Sequence, residues 1–113
     1  MASTLPEAAT PITGARKTQV AVEMNFPGAT LDQYDQVIKK MGLTPAGATP
    51  PGAISHWIAK TDDGLRVVDV WESREQFDRY AEEKIRPYTR EAGFTEAPEM
   101  RFYDVHNYLT TES

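Results

Sequence analysis

The first clear pattern along the chain is a strict alternation of residue types. Between Thr18 and Phe26, the apolar residues Val20, Val22 and Met24 occupy every second position. Successive side chains of a strand point to opposite faces of a sheet, so this period of two predicts a strand. The Pro-Gly pair that follows ends it.

A helix is predicted directly after this strand. Thr30 has the residue type of an N-cap, and Gln33 follows three positions later, which is the spacing of a capping box. Gly42 supplies the residue that most readily ends a helix. The apolar positions between them recur at helical spacing: Leu31, Tyr34, Val37, Ile38 and Met41.

Two further strands are predicted at Ile54–Lys60 and Leu65–Trp71, because both runs are rich in β-branched and aromatic residues. The residues between them, Thr-Asp-Asp-Gly at 61–64, form a strong hairpin signal. The connection that precedes this hairpin, from Gly42 to Ala53, is rich in proline and glycine. A loop of this length is either the rim of a site or a plain surface crossover.

The pattern of the first helix then recurs. Ser73 is a second N-cap candidate with Gln76 at the matching box position, and Pro87 is expected to kink or restart this helix before Gly93 ends it. A last strand is predicted from Met100 to Leu109. One face of the second helix carries Phe77, Tyr80, Ala81 and Ile85.

The resulting order, β-α-β-β-α-β, predicts an α+β fold of the ferredoxin-like type, with a four-stranded antiparallel sheet and both helices on one face. The two sets of alternating strand positions, or phases, face opposite sides of the sheet, and both are apolar. This predicts that a second copy covers the face without helices and forms a homodimer. We assign Val20, Val22, Met24, Val68 and Val70 to one phase. The other phase contains Ala21, Leu65, Val67 and Trp71.

Composition limits the protein to one small domain. The chain has 113 residues, and we expect a single domain at 18–109 between flexible tails at 1–17 and 110–113. A net charge of −5 gives no basic stripe, which argues against nucleic-acid binding. No apolar run is long enough for a membrane span, no signal peptide is evident and there is no cysteine, so we expect a cytoplasmic protein.

Two segments resemble a known family. The string Val67-Val68-Asp69-Val70-Trp71-Glu72-Ser73-Arg74-Glu75-Gln76-Phe77 and the ending Phe102-Tyr103-Asp104-Val105-His106-Asn107-Tyr108 are similar to the dimeric α/β-barrel superfamily, in particular its antibiotic-biosynthesis monooxygenase-like branch. The resemblance implies a dimeric α/β barrel. It also implies an activity drawn from cofactor-independent monooxygenases of polyketide quinones, haem-degrading enzymes, cyclases and isomerases.

The resemblance carries over residue by residue. Trp71 matches the tryptophan that borders the pocket between sheet and helices. The haem-degrading members also have a histidine on the next helix, whereas residues 73–93 contain none. We therefore expect no haem chemistry.

The candidate catalytic residues are His56, His106 and Asp69. Imidazole is the natural general base near neutral pH, and a strand carboxylate needs a partner. An even-numbered hairpin loop would place His56 on the face of Asp69, whereas a three-residue loop with a bulge would place Trp57 there. Ordinary packing explains the same residues without function. Candidates for substrate binding are Trp71, Trp57, Tyr34, Tyr80, Tyr103 and Glu23.

These residues predict a small enzyme that removes a proton from an aromatic or polyketide-like molecule, after which the anion is oxygenated or cyclised. We expect no metal site and no bound organic cofactor, because no ligand or phosphate motif occurs. The alternative is a non-catalytic ligand-binding or interaction module of the same fold. A closed apolar interior would favour the module, and a pocket reached by His56 and Trp71 would favour the enzyme.

Overall fold

The computed structural model describes residues 19–109 of the chain. The tails predicted at 1–17 and 110–113, and Thr18 at the start of the first predicted strand, lie outside this range. Within it, no helix is both long enough and apolar enough to cross a membrane.

The element order confirms the ferredoxin-like prediction. The elements are β1 (Val20–Pro27), α1 (Leu31–Lys40), β2 (Ala53–Lys60), β3 (Gly64–Trp71), α2 (Arg74–Tyr80), α3 (Arg86–Glu91) and β4 (Glu99–Asp104). A π-helical turn at Ala81–Ile85 joins α2 and α3 into one run. The strands lie side by side in the order β2-β3-β1-β4, and every neighbouring pair is antiparallel.

The helix starts follow from local hydrogen bonds. The Gln33 amide N–H donates to Thr30 Oγ1 at 3.2 Å, and the Thr30 amide N–H donates to Gln33 Oε1 at 2.9 Å, which completes the predicted capping box. At α2 only half of the predicted box forms. The Gln76 amide N–H donates to Ser73 Oγ at 3.1 Å, but the side chain of Gln76 accepts from the Ser73 hydroxyl instead of from its backbone.

Pro87 interrupts the α-helical pattern without ending the helical run. A proline removes one backbone donor and crowds the preceding turn, and here the turn before it widens to π geometry at Ala81–Ile85. The Thr89 hydroxyl donates to the carbonyl of Ile85 at 2.7 Å. The predicted restart is therefore a change of helical pitch.

The sheet register corrects the predicted faces. The apolar residues of β1 lie on the helix-facing side of the sheet, together with Trp71 and the alternate residues of β3. The pairs that show this are Val20 with Trp71, Val22 with Asp69 and Met24 with Val67. Grouping these β1 residues with Val68 and Val70 was wrong, because the phase between two strands is set by their pairing. The inner face carries the buried core: Val20, Val22, Met24, Phe26, Leu65, Val67 and Trp71, packed against Phe77.

The outer face of the sheet is mixed, and not uniformly apolar as predicted. Its apolar part includes Trp57 and Tyr103, which are 51% and 50% exposed. Its polar part includes Arg66, whose Nε donates to Asn25 Oδ1 at 2.8 Å and lies 3.8 Å from a carboxylate oxygen of Glu23.

The last strand is shorter than predicted. It pairs only with β1, and Asp104 lies opposite Val20, the first strand residue of β1. One further bond, from the Val105 amide N–H to the carbonyl of Gln19 at 3.2 Å, ends the pairing. His106 therefore does not lie in a strand, contrary to the prediction.

Candidate active site

The hairpin turn decides which residue faces Asp69. Lys60 pairs with Leu65, so the loop has four residues, and the Thr61 amide N–H donates to the carbonyl of Gly64 at 2.8 Å. With this even-numbered loop, His56 lies directly opposite Asp69. The first of the two predicted registers is therefore confirmed.

Asp69 is a buried carboxylate, only 5% exposed, and both of its oxygens are hydrogen-bonded. Oδ2 accepts from Trp71 Nε1 at 3.1 Å, and Oδ1 lies 2.6 Å from His56 Nδ1. A carboxylate only accepts, so the His56 proton resides on Nδ1. In a ring that carries its single proton there, Nε2 is the acceptor nitrogen.

Tyr34 extends this pair into a line of three groups. Its hydroxyl lies 2.6 Å from His56 Nε2, and the two rings stack at a centroid distance of 6.0 Å. Burial, and to a lesser extent the charge of Asp69, raises the pKa of Tyr34 to about 12. Tyr34 is therefore a neutral phenol at physiological pH. With the His56 proton on Nδ1, its hydroxyl donates to Nε2.

These groups line a cavity of about 180 Å³ between the sheet and the helices. Trp71, Asp69 and His56 bound it from the sheet and Tyr34 bounds it from α1. Residues 43–44 and 46–50 of the proline-rich loop form another wall, so this loop is the rim of a cavity and not a plain crossover. His56 and Trp71 both line this cavity.

Tyr80 is the second tyrosine of the cavity. Its hydroxyl donates to the sulfur of Met41 at 3.1 Å, and its ring packs on Trp71 at a centroid distance of 5.2 Å. Burial first, and then the charge of Asp69, raises its pKa to about 12. Tyr80 thus presents a neutral wall to the cavity.

The other predicted site residues lie elsewhere. Trp57, Tyr103 and Glu23 project from the outer face of the sheet. Each belongs to a row of paired residues whose side chains point away from the helices. His106 is exposed beyond β4. None of these four lines the cavity.

The sequence reasoning missed two parts of the site. Met41 lies at the end of a predicted helix face, and only the packing of the second helical run near the end of α1 brings its sulfur to Tyr80. The cavity wall formed by residues 43–44 and 46–50 had a weak signal in the sequence, namely the length and proline content of the loop. Among residues 19–109, no group of three or more histidine, aspartate or glutamate side chains could hold a metal ion.

Fold and site together define a ferredoxin-like α+β protein with a cavity between its sheet and its helices. Among solved structures, the chain is similar to SnoaB, a cofactor-independent oxygenase from Streptomyces nogalater, at 17% identity and a TM-score of 0.55, over 81% of this chain and 97% of that one. A conserved protein from Methanosarcina mazei Go1 has 10% identity and a TM-score of 0.54, over 80% of this chain and 96% of that one.

A monooxygenase from the ActVA-Orf6 gene of Streptomyces coelicolor, solved in complex with nanaomycin D, also matches, with 21% identity and a TM-score of 0.48 over 91% of this chain and all of that one. The likenesses to SnoaB and to the Methanosarcina protein, both with TM-scores above 0.5, establish the fold. No protein-family model matches the chain, and neither does any curated protein.

Proposed function

We propose that this protein is a cofactor-independent enzyme that removes a proton from a phenolic or enolic aromatic molecule, whose anion then reacts with oxygen. The observation that carries the proposal is the line Asp69–His56–Tyr34, which runs from a buried carboxylate into the cavity. A packing role alone does not require an acceptor nitrogen of a histidine at the cavity wall.

In the proposed proton transfer, Tyr34 is a relay. The substrate hydroxyl donates to the Tyr34 oxygen while the Tyr34 proton moves to Nε2 of His56, so that Tyr34 is neutral before and after the step. Asp69 then stabilises the imidazolium through the Nδ1 bond. The raised pKa of Tyr34 suits this role, because it keeps the hydroxyl protonated and the proton available for transfer to His56.

The oxygen step rests on similarity. SnoaB is described as a cofactor-independent oxygenase, and it shares this fold. A phenol and O₂ yield a quinone and water, so one oxygen atom enters the ring and the other leaves as water, without another reductant. Cyclisation of the anion would instead leave the oxygen concentration unchanged, and an oxygen electrode separates the two outcomes.

The proton transfer can be tested with 4-nitrophenol, whose phenolate absorbs visible light. At a pH at which free 4-nitrophenol is mostly protonated, we expect the wild-type protein to bind it as the phenolate, because His56 takes the proton. His56→Gln keeps a polar side chain without a comparable base, so it should bind the neutral form. His106→Gln is the matched control and should behave as the wild type.

Two outcomes contradict the proposal. Phenolate formation that survives His56→Gln would exclude His56 as the base. Loss of phenolate in both histidine variants would point to a general change in the protein rather than to the cavity.

We further propose that a second copy covers the outer face of the sheet. Trp57 and Tyr103 expose about half of their surface there, beside Val68 and Val70. Exposed aromatic surface of this kind is typical of subunit interfaces. Sedimentation should show a dimer, and Trp57→Lys should yield a monomer that retains its fold.

A further inference from the structure

The size of the cavity limits the ligand. Its volume is about 180 Å³, and an apolar cavity of about 150 Å³ is known to accommodate one benzene molecule. The additional room corresponds to a small substituent. Fused systems of three or more rings exceed this space.

The cavity is polar at one end and apolar at the other. Leu65, Val67 and Asp69 alternate along the inner face of β3, and a rise of about 3.3 Å per residue separates Leu65 from Asp69 by about 13 Å. Phe26, opposite Leu65, packs edge-on against Phe94 at a centroid distance of 5.4 Å. A ligand hydroxyl therefore belongs at the Asp69 end and an apolar substituent at the Phe26 end.

The charges of the cavity select for a neutral ligand. Among the described residues that line it there is no lysine or arginine, and the buried carboxylate of Asp69 is its negative group. A carboxylate on the ligand would be buried without a cationic partner, which is costly. Tyr34 and Tyr80 remain neutral at physiological pH and offer no compensating charge.

We infer that the substrate is a neutral single-ring phenol or enol with a short apolar substituent para or meta to its hydroxyl, and not an acid or a polycyclic quinone. The inference rests on the proposed function for the role of the hydroxyl. It adds the size, the charge and the orientation of the molecule.

A series of three probes tests the inference by calorimetric titration of the wild-type protein. We expect 4-propylphenol to bind. Its counterpart 3-(4-hydroxyphenyl)propanoate replaces the terminal methyl group by a carboxylate and should bind about 100-fold more weakly. A three-ring hydroxyanthraquinone should not bind measurably.

A pair of valine variants locates the binding. Val67→Phe fills the cavity, whereas Val105→Phe makes the same change just after β4, at a residue that does not line the cavity. We expect Val67→Phe to weaken binding of 4-propylphenol at least tenfold and Val105→Phe to leave it unchanged. Thermal unfolding of both variants verifies that they fold.

The outcomes separate this inference from the proposed function. Equal binding of the carboxylate or tight binding of the anthraquinone would overturn the inference and leave the His56 test with 4-nitrophenol untouched. Absence of 4-propylphenol binding to the wild-type protein, or equal binding to both phenylalanine variants, would also overturn it. Loss of the phenolate signal alone would refute the proton transfer and not the ligand class.

Discussion

Replacing Asp69 by asparagine should weaken His56 as a base while leaving the protein folded. The amide oxygen of Asn can still accept from Trp71 Nε1, but its NH₂ group then faces His56 Nδ1. The histidine must place its proton on Nε2, and it then donates to Tyr34 instead of accepting.

The magnitude follows from the bond that is lost. A hydrogen bond to a charged group contributes about 1.5–3 kcal/mol, and 1.36 kcal/mol corresponds to a factor of ten. The imidazolium–phenolate pair should therefore be roughly 10- to 150-fold less populated in Asp69→Asn. The free energy of unfolding should change by no more than about 1 kcal/mol, because a buried charge disappears together with its bond.

Asp69→Ala provides the contrast in stability. It leaves the donors of His56 and Trp71 without their partner, at about 1–3 kcal/mol each, so it should destabilise the protein by roughly 2–6 kcal/mol. Chemical denaturation measures the free energy of unfolding of both Asp69 variants. The control for loss of charge is Asp104→Asn, which neutralises an exposed carboxylate on β4.

The assay is the spectrum of bound 4-nitrophenol, together with long-range ¹H–¹⁵N NMR of the His56 ring. We expect the Nδ1–H tautomer in the wild-type protein and the Nε2–H tautomer in Asp69→Asn. A variant that binds the phenolate as well as the wild type, or keeps the Nδ1–H tautomer, would refute the role assigned to Asp69.

Three further predictions concern stability. Gly64→Ala should lower the free energy of unfolding by about 1–3 kcal/mol, because its Cβ would overlap the carbonyl oxygen of Phe26, and thermal unfolding measures this. Thr30→Ala removes the cap of α1 and should cost about 1 kcal/mol in urea unfolding. Tyr34 and Tyr80 have folded-state pKa values of about 12 against the usual 10, so their neutral forms are favoured by folding. The stability that these two tyrosines add to the folded state is present below pH 10 and is lost as pH rises from 10 towards 12. Tyr34→Phe should therefore flatten the alkaline fall in stability.

Matched variants control these predictions. Thr30→Ser keeps the hydroxyl and should restore most of the stability that Thr30→Ala loses. Tyr80→Phe is the paired variant and should flatten the alkaline fall in stability in the same way, because the pKa of Tyr80 is also raised to about 12. An unchanged melting temperature in Gly64→Ala would mean that the hairpin can move away from β1.

The order of elements could be predicted because its signals are local. The capping box at Thr30 and the turn before Gly64 depend on residues within four positions of each other, and both form as expected. The faces of β1 and β3 could not be predicted in the same way. Their relative phase depends on which residues pair across the sheet, and assigning Val20 to the face of Val68 was an error of that kind.

The site was predicted where it depended on one hairpin and missed where it depended on docking. His56, Asp69 and Trp71 lie on two strands joined by a short turn, so the sequence left only two registers open. The bond from Tyr34 to His56 requires the position of α1 over the sheet, which no local pattern encodes. The sulfur contact of Met41 with Tyr80 depends on helix packing for the same reason.

The four-residue turn at 61–64 fixes the interior chemistry and the outer surface together. Because strand side chains alternate, the register that places His56 against Asp69 also places Trp57 on the outer face beside Val68. A shift of one residue would exchange them, putting an indole where the base lies and an imidazole on the exposed surface. The proposed catalysis and the proposed pairing of two copies therefore depend on one structural feature, and a change in that turn should affect both.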